Sequence, residues 1–234
     1  MKTTKKDYVD VAYNEIDKPF TTYPKKLATY LSSRFDIKKD YKILELGCGR
    51  GELLNSFIDL GIDGYGTDIS DYSKKKYPKI KFTESNILKE KKIPFSDNFF
   101  DFVYSKSFIE HFYDPDFIFT EIFRVLKPNG KVLTLTPDWQ FMSEVFYDDS
   151  THKRPFTTKS LKEIQIITGY SNVVVEKFRQ LPITWNKYSS FNFFYIFFAE
   201  LTRIFFPSSL KKIKWVRFSK EIMLLSSAQK ILKM

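Results

Sequence analysis

Short apolar runs alternate with stretches of helical periodicity along most of this chain. The strand-like runs predict five β-strands, at 41–46, 63–67, 79–83, 100–105 and 130–136. Between them, apolar residues recur at the three- and four-residue spacing of a helix, as in 53–60. A helix is also predicted at 23–35, a sixth strand at 171–178 and a seventh at 179–186. Strands that alternate with helices predict an α/β fold with a mostly parallel sheet, which binds ligands at the carboxyl ends of its strands.

Length and composition fit one α/β domain with additions. The chain has 234 residues, 43% of them hydrophobic, and we divide it into a ligand-binding domain at 1–184 and a C-terminal extension at 185–234. A single cysteine, Cys48, excludes a disulfide framework and a Cys-rich zinc site, and no metal site is predicted. Because residues 1–7 contain no apolar stretch of a secretory signal, we expect a cytoplasmic protein.

The net charge of +10 is distributed unevenly. Residues 1–150 contain 23 Lys or Arg and 24 Asp or Glu, whereas residues 151–234 contain 15 and 4. This asymmetry indicates contact with an acidic surface or an anionic substrate. A lysine-rich surface that only aids solubility is the alternative interpretation.

A glycine-rich turn directly follows the first predicted strand. Its spacing is Gly47-x-Gly49-x-Gly51, with Glu45 two residues before the first glycine. Glycines suit a tight turn on which a ligand lies against bare backbone, and the following helix N-terminus offers N–H groups. Dinucleotide-binding enzymes use G-x-G-x-x-G instead, and position 52 here is Glu.

The second predicted strand ends in a carboxylate, Asp68. It follows Gly47 by 21 residues, the spacing at which an acidic residue accepts hydrogen bonds from the two hydroxyls of a ribose. A solvated turn or helix cap is the alternative role. The distance from the glycines favours the ribose.

Several motifs together resemble the class I S-adenosylmethionine-dependent methyltransferases. They are the glycine turn, Asp68, Asn86 after the third strand, Phe99 and Asp101 at the fourth, and the Lys-Pro-Asn-Gly segment at 127–130. The resemblance is to the type-11 group that includes ubiquinone-biosynthesis enzymes, and it covers about residues 25–170. It implies a Rossmann-like, doubly wound sheet of seven strands. It also implies S-adenosylmethionine as methyl donor and S-adenosylhomocysteine as product.

The resemblance implies a role for each cofactor-binding residue. The glycine turn would lie under the methionine part, Glu45 would orient its ammonium, and Asp68 would take the ribose. The residue after Asp68 would pack on adenine, Asn86 and the next N–H would read the adenine edge, and backbone at Tyr104 and Ser105 would pass near the sulfonium. Aspartate is usual in place of Asn86, but an amide also accepts hydrogen bonds. The full set is Glu45, Gly47, Cys48, Gly49, Gly51, Asp68, Ile69, Asn86, Ile87, Tyr104 and Ser105.

Candidates for the acceptor side are Glu110, His111 and His152. The Glu-His pair follows the fourth strand, where this superfamily lines its acceptor pocket, so His111 is a candidate general base. In many relatives the same pair is structural, which is the alternative role. His152 precedes Lys153 and Arg154, and this loop would bind an acceptor phosphate or carboxylate, or would simply be solvated.

The C-terminal extension is aromatic and basic. Twelve of the 34 residues at 185–218 are aromatic. A predicted helix at 191–206 is shorter than the roughly 20 residues that span a bilayer. We consider three roles for 187–220: a lid over the acceptor pocket, a homodimer interface, or contact with a membrane surface through interleaved Lys and Arg.

The sequence predicts an enzyme that methylates a small-molecule acceptor, with an anionic, sugar- or phosphate-bearing molecule and an oxygen atom as the favoured target. Surface-polysaccharide or glycoconjugate biosynthesis is the favoured context. Alternatives are a lipid or quinone-type acceptor at the membrane surface, and RNA. A nucleic-acid partner is disfavoured because the chain has Tyr-Ser-Lys-Ser at 104–107 instead of Asn/Asp-Pro-Pro-Tyr/Phe. Intact glycines and Asp68 disfavour a non-catalytic binding module.

Overall fold

The computed structural model describes residues 8–13, 15–16, 18–185, 191–210 and 212–231. Predictions that concern 1–7, 187–190 and 211 therefore lie outside the described residues. The strands are β1 Lys42–Leu46, β2 Asp63–Asp68, β3 Lys81–Glu84, β4 Phe100–Lys106, β5 Leu126–Pro137, β6 Ser171–Arg179 and β7 Ile222–Gln229. They form one sheet in the order β3-β2-β1-β4-β5-β7-β6. This Rossmann-like sheet confirms the predicted fold class.

Helices separate most of the strands. The α-helices are α1 Tyr8–Ala12, α2 Tyr23–Phe35, α3 Glu52–Asp59, α4 Tyr72–Lys76, α5 Ile87–Glu90, α6 Asp116–Val125, α7 Trp139–Met142, α8 Thr158–Ile167, α9 Asn192–Phe205 and α10 Lys214–Lys220. Helix α2 has the predicted bounds because Leu27, Ala28 and Leu31 recur at helical spacing and are buried together.

The strands around β1 are parallel. β1 pairs with β2 and β4, and β2 pairs with β3. Ile43, Leu44 and Leu46 of β1 are fully buried, as expected for a parallel strand that is covered on both faces. Parallel strands end at the same edge of the sheet, so the loops after β1, β2 and β3 meet there.

The predicted position of the seventh strand was wrong. Residues 182–184 form a short 3-10 helix, and the last strand is β7, which is antiparallel to both β5 and β6. The last strand of the sheet, β7, therefore lies within 185–234, the segment predicted as a C-terminal extension. The division at residue 184 stays a prediction, and the helical part of that segment consists of α9 and α10.

The fifth strand begins four residues earlier than predicted. β5 starts at Leu126 and includes most of the Lys-Pro-Asn-Gly segment ahead of the predicted start at 130. Asn129 retains a turn-like backbone, with φ at 65°. A Cβ on Gly130 would lie 2.9 Å from the Lys127 carbonyl oxygen, so only glycine fits this irregular start.

The described chain divides into two compact units. The first contains the residues up to Ser105 and Arg124–Gly130, and the second contains Lys106–Phe123 and the chain from Lys131 onward. Leu44, Leu54 and Phe57 are fully buried in the first unit; Phe119, Leu133 and Leu161 are fully buried in the second. Across the described ranges, no helix is long and apolar enough to cross a membrane.

Candidate active site

The predicted cofactor residues lie at the carboxyl ends of the parallel strands of the first unit. Glu45 of β1 is in register with Gly66 of β2 and Tyr104 of β4. Asp68 ends β2 and is in register with Glu84 of β3. The sheet therefore brings residues from four separate sequence motifs to one edge.

The turn between β1 and α3 depends on glycine. Gly47, Gly49 and Gly51 have φ values of 65°, 47° and 78°, in the left-handed region that other residues adopt at a cost. The N–H groups of Gly47 and Cys48 donate to the Thr67 carbonyl at 2.9 and 3.2 Å. These bonds hold the turn against the end of β2, so that backbone lines the edge of the sheet.

Asp68 is the centre of a hydrogen-bond network at this edge. Its carboxylate accepts from the Gly49 N–H at 2.8 Å and from the Ser70 N–H at 3.0 Å. The hydroxyl of Tyr8 lies 2.8 and 2.9 Å from the two carboxylate oxygens. Burial and the Asp68 charge raise the pKa of Tyr8 well above its usual value, so Tyr8 is the neutral donor. A carboxylate that holds a hydroxyl between both oxygens suits the diol of a ribose.

The N-terminal segment lies over the glycine turn through Arg50. The Arg50 guanidinium donates to the carbonyls of Tyr13 and Lys18 at 3.2 and 2.6 Å, and lies 4.5 Å from the ring centre of Phe20. Tyr8 thus lies beside Asp68, and Tyr13, Lys18 and Phe20 lie beside Arg50 of the glycine turn. Sequence reasoning missed this contact because the segment carries no motif and its partner lies 60 residues away.

Ile69, Asn86 and Ile87 each offer a different group to a ligand: an apolar side chain, an amide oxygen and a backbone N–H. The Ile69 side chain is 56% exposed and available to a planar ring. Asn86 Oδ1 caps α5 by accepting from the Lys89 N–H at 3.1 Å, which uses one of its two lone pairs. Ile87 is buried, and as the first residue of α5 its N–H lies outside the intrahelical pattern.

Burial limits how Cys48, Tyr104 and Ser105 can act. Cys48 contacts Ser73 at 3.4 Å between Sγ and Oγ, and burial followed by the Glu45 charge raises the pKa of its thiol. The thiol is therefore a packing group, not a nucleophile. Tyr104 and Ser105 are also buried, consistent with the backbone role predicted for them.

In the second unit, Glu110, His111 and His152 lie together. One ligand atom of each lies within 4.8 Å of the others, and the two imidazole centres are 4.9 Å apart. The Glu110 carbonyl accepts from the N–H groups of Lys153 and Arg154 at 2.8 and 3.1 Å. These bonds hold the loop that contains His152 against Glu110. These three residues are the catalytic candidates that the sequence predicts, and the sequence predicts no metal site.

Burial shifts the pKa values of two residues in this cluster. Burial raises the pKa of the Glu110 carboxyl to about 7, against a hydrogen bond from Thr136 and the charge of Lys106. Burial and then the neighbouring His152 lower the pKa of His111. His111 is therefore neutral at pH 7, the form that accepts a proton or binds a metal.

Comparisons with known proteins agree with this fold. Residues 44–134 match a family model described as a methyltransferase domain. Phosphoethanolamine N-methyltransferase 2 of Caenorhabditis elegans is 31% identical over 156 residues, which cover 60% of this chain and 35% of that protein. Sterol 24-C-methyltransferase erg-4 of Neurospora crassa is 29% identical over 153 residues, which cover 62% and 38%.

Solved structures show the same fold. A SAM-dependent methyltransferase from Archaeoglobus fulgidus superposes with a TM-score of 0.63 at 23% identity, over 96% of this chain and 100% of that one. Haemonchus contortus phosphoethanolamine N-methyltransferase 2 in complex with S-adenosyl-L-methionine gives 0.65 at 19% identity, over 99% and 59%. Residues 44–134 of this chain carry a methyltransferase domain.

The family match agrees with the predicted methyltransferase class, and the Haemonchus contortus structure holds S-adenosyl-L-methionine, the predicted cofactor, on the same fold. The chain spans 35% and 38% of the lengths of the two curated relatives. The roles of individual residues in the methyltransferase domain stay predictions. Of these residues, the structure brings the cofactor set together at one sheet edge, and it brings the acceptor set together in the second unit.

Proposed function

We propose that this protein transfers the methyl group of S-adenosylmethionine to a small, anionic, sugar- or phosphate-bearing acceptor, at an oxygen atom. The observation that carries the proposal is the glycine turn folded against Asp68, whose carboxylate already holds a hydroxyl between its two oxygens. Surface-polysaccharide or glycoconjugate biosynthesis is the context we propose for it. S-adenosylhomocysteine is the expected second product.

The chain's own residues would bind and orient the donor. S-adenosylmethionine supplies a methyl group that is already activated on its sulfonium. Asp68 would accept both ribose hydroxyls, the turn would present backbone N–H groups to the methionine part, and Glu45 would attract its ammonium. Ile69 and Asn86, followed by the Ile87 N–H, would contact adenine. Positioning of this kind is the main contribution that a protein makes to an in-line transfer.

On the acceptor side we propose His111 as general base, with Glu110 and His152 beside it. An oxygen acceptor loses a proton as it is methylated, and neutral His111 has a lone pair that takes it. Lys153 and Arg154 carry two positive charges on the adjoining loop, which suits a phosphate. The phosphoethanolamine methyltransferase relative, whose name states a phosphorylated substrate, supports this choice.

The test is a methyl-transfer assay with isotope-labelled S-adenosylmethionine against a panel of acceptors. The panel contains phosphorylated sugars, nucleotide sugars, phosphorylated amines, quinols and RNA. We expect acceptor-dependent formation of S-adenosylhomocysteine with anionic small molecules. Transfer to RNA alone, or binding of S-adenosylmethionine with no transfer to any acceptor, would contradict the proposal.

Tyr8 is expected to compete with the donor. Because its hydroxyl occupies both oxygens of Asp68, a ribose must displace or share it. Removing the hydroxyl in Tyr8→Phe removes a hydrogen bond of about 0.5–1.5 kcal/mol, which predicts binding of S-adenosylmethionine that is about two- to tenfold tighter. Calorimetric titration checks this, with Tyr13→Phe in the same segment as control. Weaker binding by Tyr8→Phe would instead make Tyr8 a ligand of the donor.

A second candidate function, methylation of a lipid or quinone-type acceptor at a membrane surface, is favoured by α9. Its inner side is fixed by the buried Ala199 and Thr202, and Trp215 Nε1 donates to Thr202 Oγ1 at 2.8 Å. Its outer side is aromatic and exposed. The side chains that are at least half exposed are Phe193, Phe194, Phe197, Phe198, Ile204 and Phe205.

Charge favours a lipid surface as the partner of this face. Lys212, Lys214 and Arg217 are exposed at or beside α10, and basic residues next to exposed aromatic rings are typical of helices that lie in the headgroup region of anionic membranes. An aromatic patch of this kind is uncommon on a monomer in water. The name of the sterol methyltransferase relative, which states a lipid substrate, is consistent with this candidate.

We expect the full chain to co-sediment with anionic phosphatidylserine vesicles and far less with neutral phosphatidylcholine vesicles. In Phe193→Gln/Phe197→Gln, loss of two inserted rings at about 1.5–3 kcal/mol each should reduce binding at least tenfold. Ile167→Gln, which changes a side chain that is 82% exposed on α8, should not. Unchanged sedimentation of the double variant, or burial of the face in a homodimer by size-exclusion analysis, would exclude the membrane contact.

A further inference from the structure

Glu110, His111 and His152 have the composition and spacing of a metal site. We propose that they bind one divalent transition-metal ion of the Zn²⁺ or Fe²⁺ class, through a carboxylate oxygen and one ring nitrogen of each histidine. The inference goes beyond the proposed methyl transfer, because it rests on the cluster alone and holds for any acceptor. His111 serves as general base in the metal-free chain only, because a bound ion takes the lone pair that a general base needs.

Hydrogen bonds at Nδ1 favour the same tautomer in both rings. His152 Nδ1 lies 2.6 Å from the Phe146 carbonyl, which can only accept. Thr151 donates its single hydroxyl proton to Asp149 Oδ1 and therefore accepts from His111 Nδ1, at 3.0 Å. With the proton on Nδ1, each neutral ring has its lone pair on Nε2; the Nε2 atom of His152 also lies 3.9 Å from Asp149 Oδ2, and His111 has further hydrogen bonds with the backbone of Thr151 and Ser107. Metal-binding histidines are held in this way by a bond from the other ring nitrogen.

The carboxylate offers a matching oxygen. Glu110 is fully buried, and its Oε2 accepts from the Thr136 hydroxyl at 3.0 Å. Its Oε1 is also buried and has no hydrogen-bond partner among the described residues. Burying a carboxylate oxygen that has no hydrogen-bond partner costs free energy, and the charge of a bound cation would offset that cost. The cluster therefore combines one such oxygen with two ring nitrogens that carry lone pairs.

The backbone brings these ligands together before any ion binds. Glu110 and His111 lie on one short 3-10 helix, Ile109–His111. The Glu110 carbonyl ties down the loop after His152 through two N–H groups. Ligands of a tetrahedral ion with bonds of about 2.1 Å lie about 3.4 Å apart, so separations of up to 4.8 Å close with small side-chain movements.

The donor set selects the type of ion. Two imidazole nitrogens and one carboxylate oxygen suit Zn²⁺ and Fe²⁺, whereas Mg²⁺ and Ca²⁺ prefer oxygen ligands throughout. Three protein ligands leave at least one coordination position open, as in metal sites that bind water or substrate. We therefore expect Zn²⁺ or Co²⁺ to bind and Mg²⁺ at millimolar concentration not to compete.

The test is calorimetric titration of the chelator-treated full chain, without a histidine tag, with Zn²⁺. The chain has only two histidines, both in this cluster, so binding through imidazole is specific to the site. We expect one ion per chain, and Glu110→Gln and His152→Gln should each weaken binding at least about tenfold. Glu163→Gln, an exposed glutamate paired with Lys159, is the control and should bind as the wild type.

A second measurement on the wild-type chain keeps the test decisive where a variant does not fold. In ¹⁵N-imidazole NMR spectra, Zn²⁺ should shift the Nε2 resonances of both histidines and leave both Nδ1 atoms protonated. Absence of saturable binding, a shift in only one ring, or equal affinity in folded Glu110→Gln and His152→Gln would overturn the metal site. Binding of S-adenosylmethionine, measured in parallel, reports on the proposed function independently.

Discussion

Replacing Asp68 with alanine is expected to weaken binding of S-adenosylmethionine about 100-fold, or about 3 kcal/mol, the value of two charge-assisted hydrogen bonds to the ribose. Asp68 is buried and already accepts hydrogen bonds at both oxygens. The same carboxylate holds the Gly49 N–H, so its loss also loosens the glycine turn. Calorimetric titration of the folded variant measures the change in Kd.

Two control variants separate the ribose contact from general disruption. Glu84→Ala removes the carboxylate that is in register with Asp68 on β3, where the side chain is exposed, and should leave the Kd unchanged. Asp68→Asn keeps one acceptor oxygen and the side-chain volume, and should lie between Asp68→Ala and the wild type. Equal affinity of Asp68→Ala and the wild type would remove the ribose assignment.

Replacing Gly51 with alanine is expected to lower the free energy of unfolding by about 3 kcal/mol, from backbone strain at positive φ together with a steric clash. The φ of Gly51 is 78°, and a Cβ there would lie 2.7 Å from Ser73 Cβ and 3.3 Å from Ser73 Cα. Ser73 is fully buried in α4, so relief requires movement of backbone. Urea denaturation measures the loss.

Gly61→Ala is the matched control for this strain. Gly61 also has a positive φ, of 88°, but a Cβ there meets only the flexible Lys39 side chain, at 3.5 Å. We expect a loss of about 1 kcal/mol from φ alone. Similar losses in the two variants would show that the close approach of α4 to the glycine turn does not constrain Gly51.

Local patterns were sufficient to predict the parallel half of the fold. In β1, the buried run Ile43–Leu46 meets the glycine turn directly, and strand, turn and helix each have a separate local signal. Helix α2 also has its predicted bounds, because apolar spacing and an early proline determine them locally. The position of Asp68 beside the glycine turn could be predicted because its distance from the glycines is set by one helix and one strand.

The final strand could not be predicted in this way. In β7, Ile222, Met223, Leu224 and Leu225 are all buried, so their unbroken apolar run lacks the alternation of a half-exposed strand. Its pairing with β6 spans the whole helical segment between them, and no local signal specifies a partner at that distance. The residues at 179–186 instead contain Pro182, which begins a 3-10 helix.

The candidate residues can be listed from the sequence, but the contacts between them cannot. No pattern in the sequence links the segment of Tyr8 with the segment of Asp68, so the contact between the two residues could not be predicted. Glu110, His111 and His152 were each predicted as catalytic, but their convergence depends on a backbone contact between two loops. The tautomers, which favour a metal ligand role, follow from Thr151 and Phe146 and required the structure.

A crystal structure of the full chain with S-adenosylhomocysteine tests the central claim most directly. We expect both ribose hydroxyl oxygens within about 3.2 Å of the Asp68 carboxylate, the homocysteine part over the glycine turn, and the Tyr8 hydroxyl displaced from at least one carboxylate oxygen. A nucleoside bound away from Asp68, with the hydroxyl of Tyr8 still held between both oxygens, would contradict the proposed donor site.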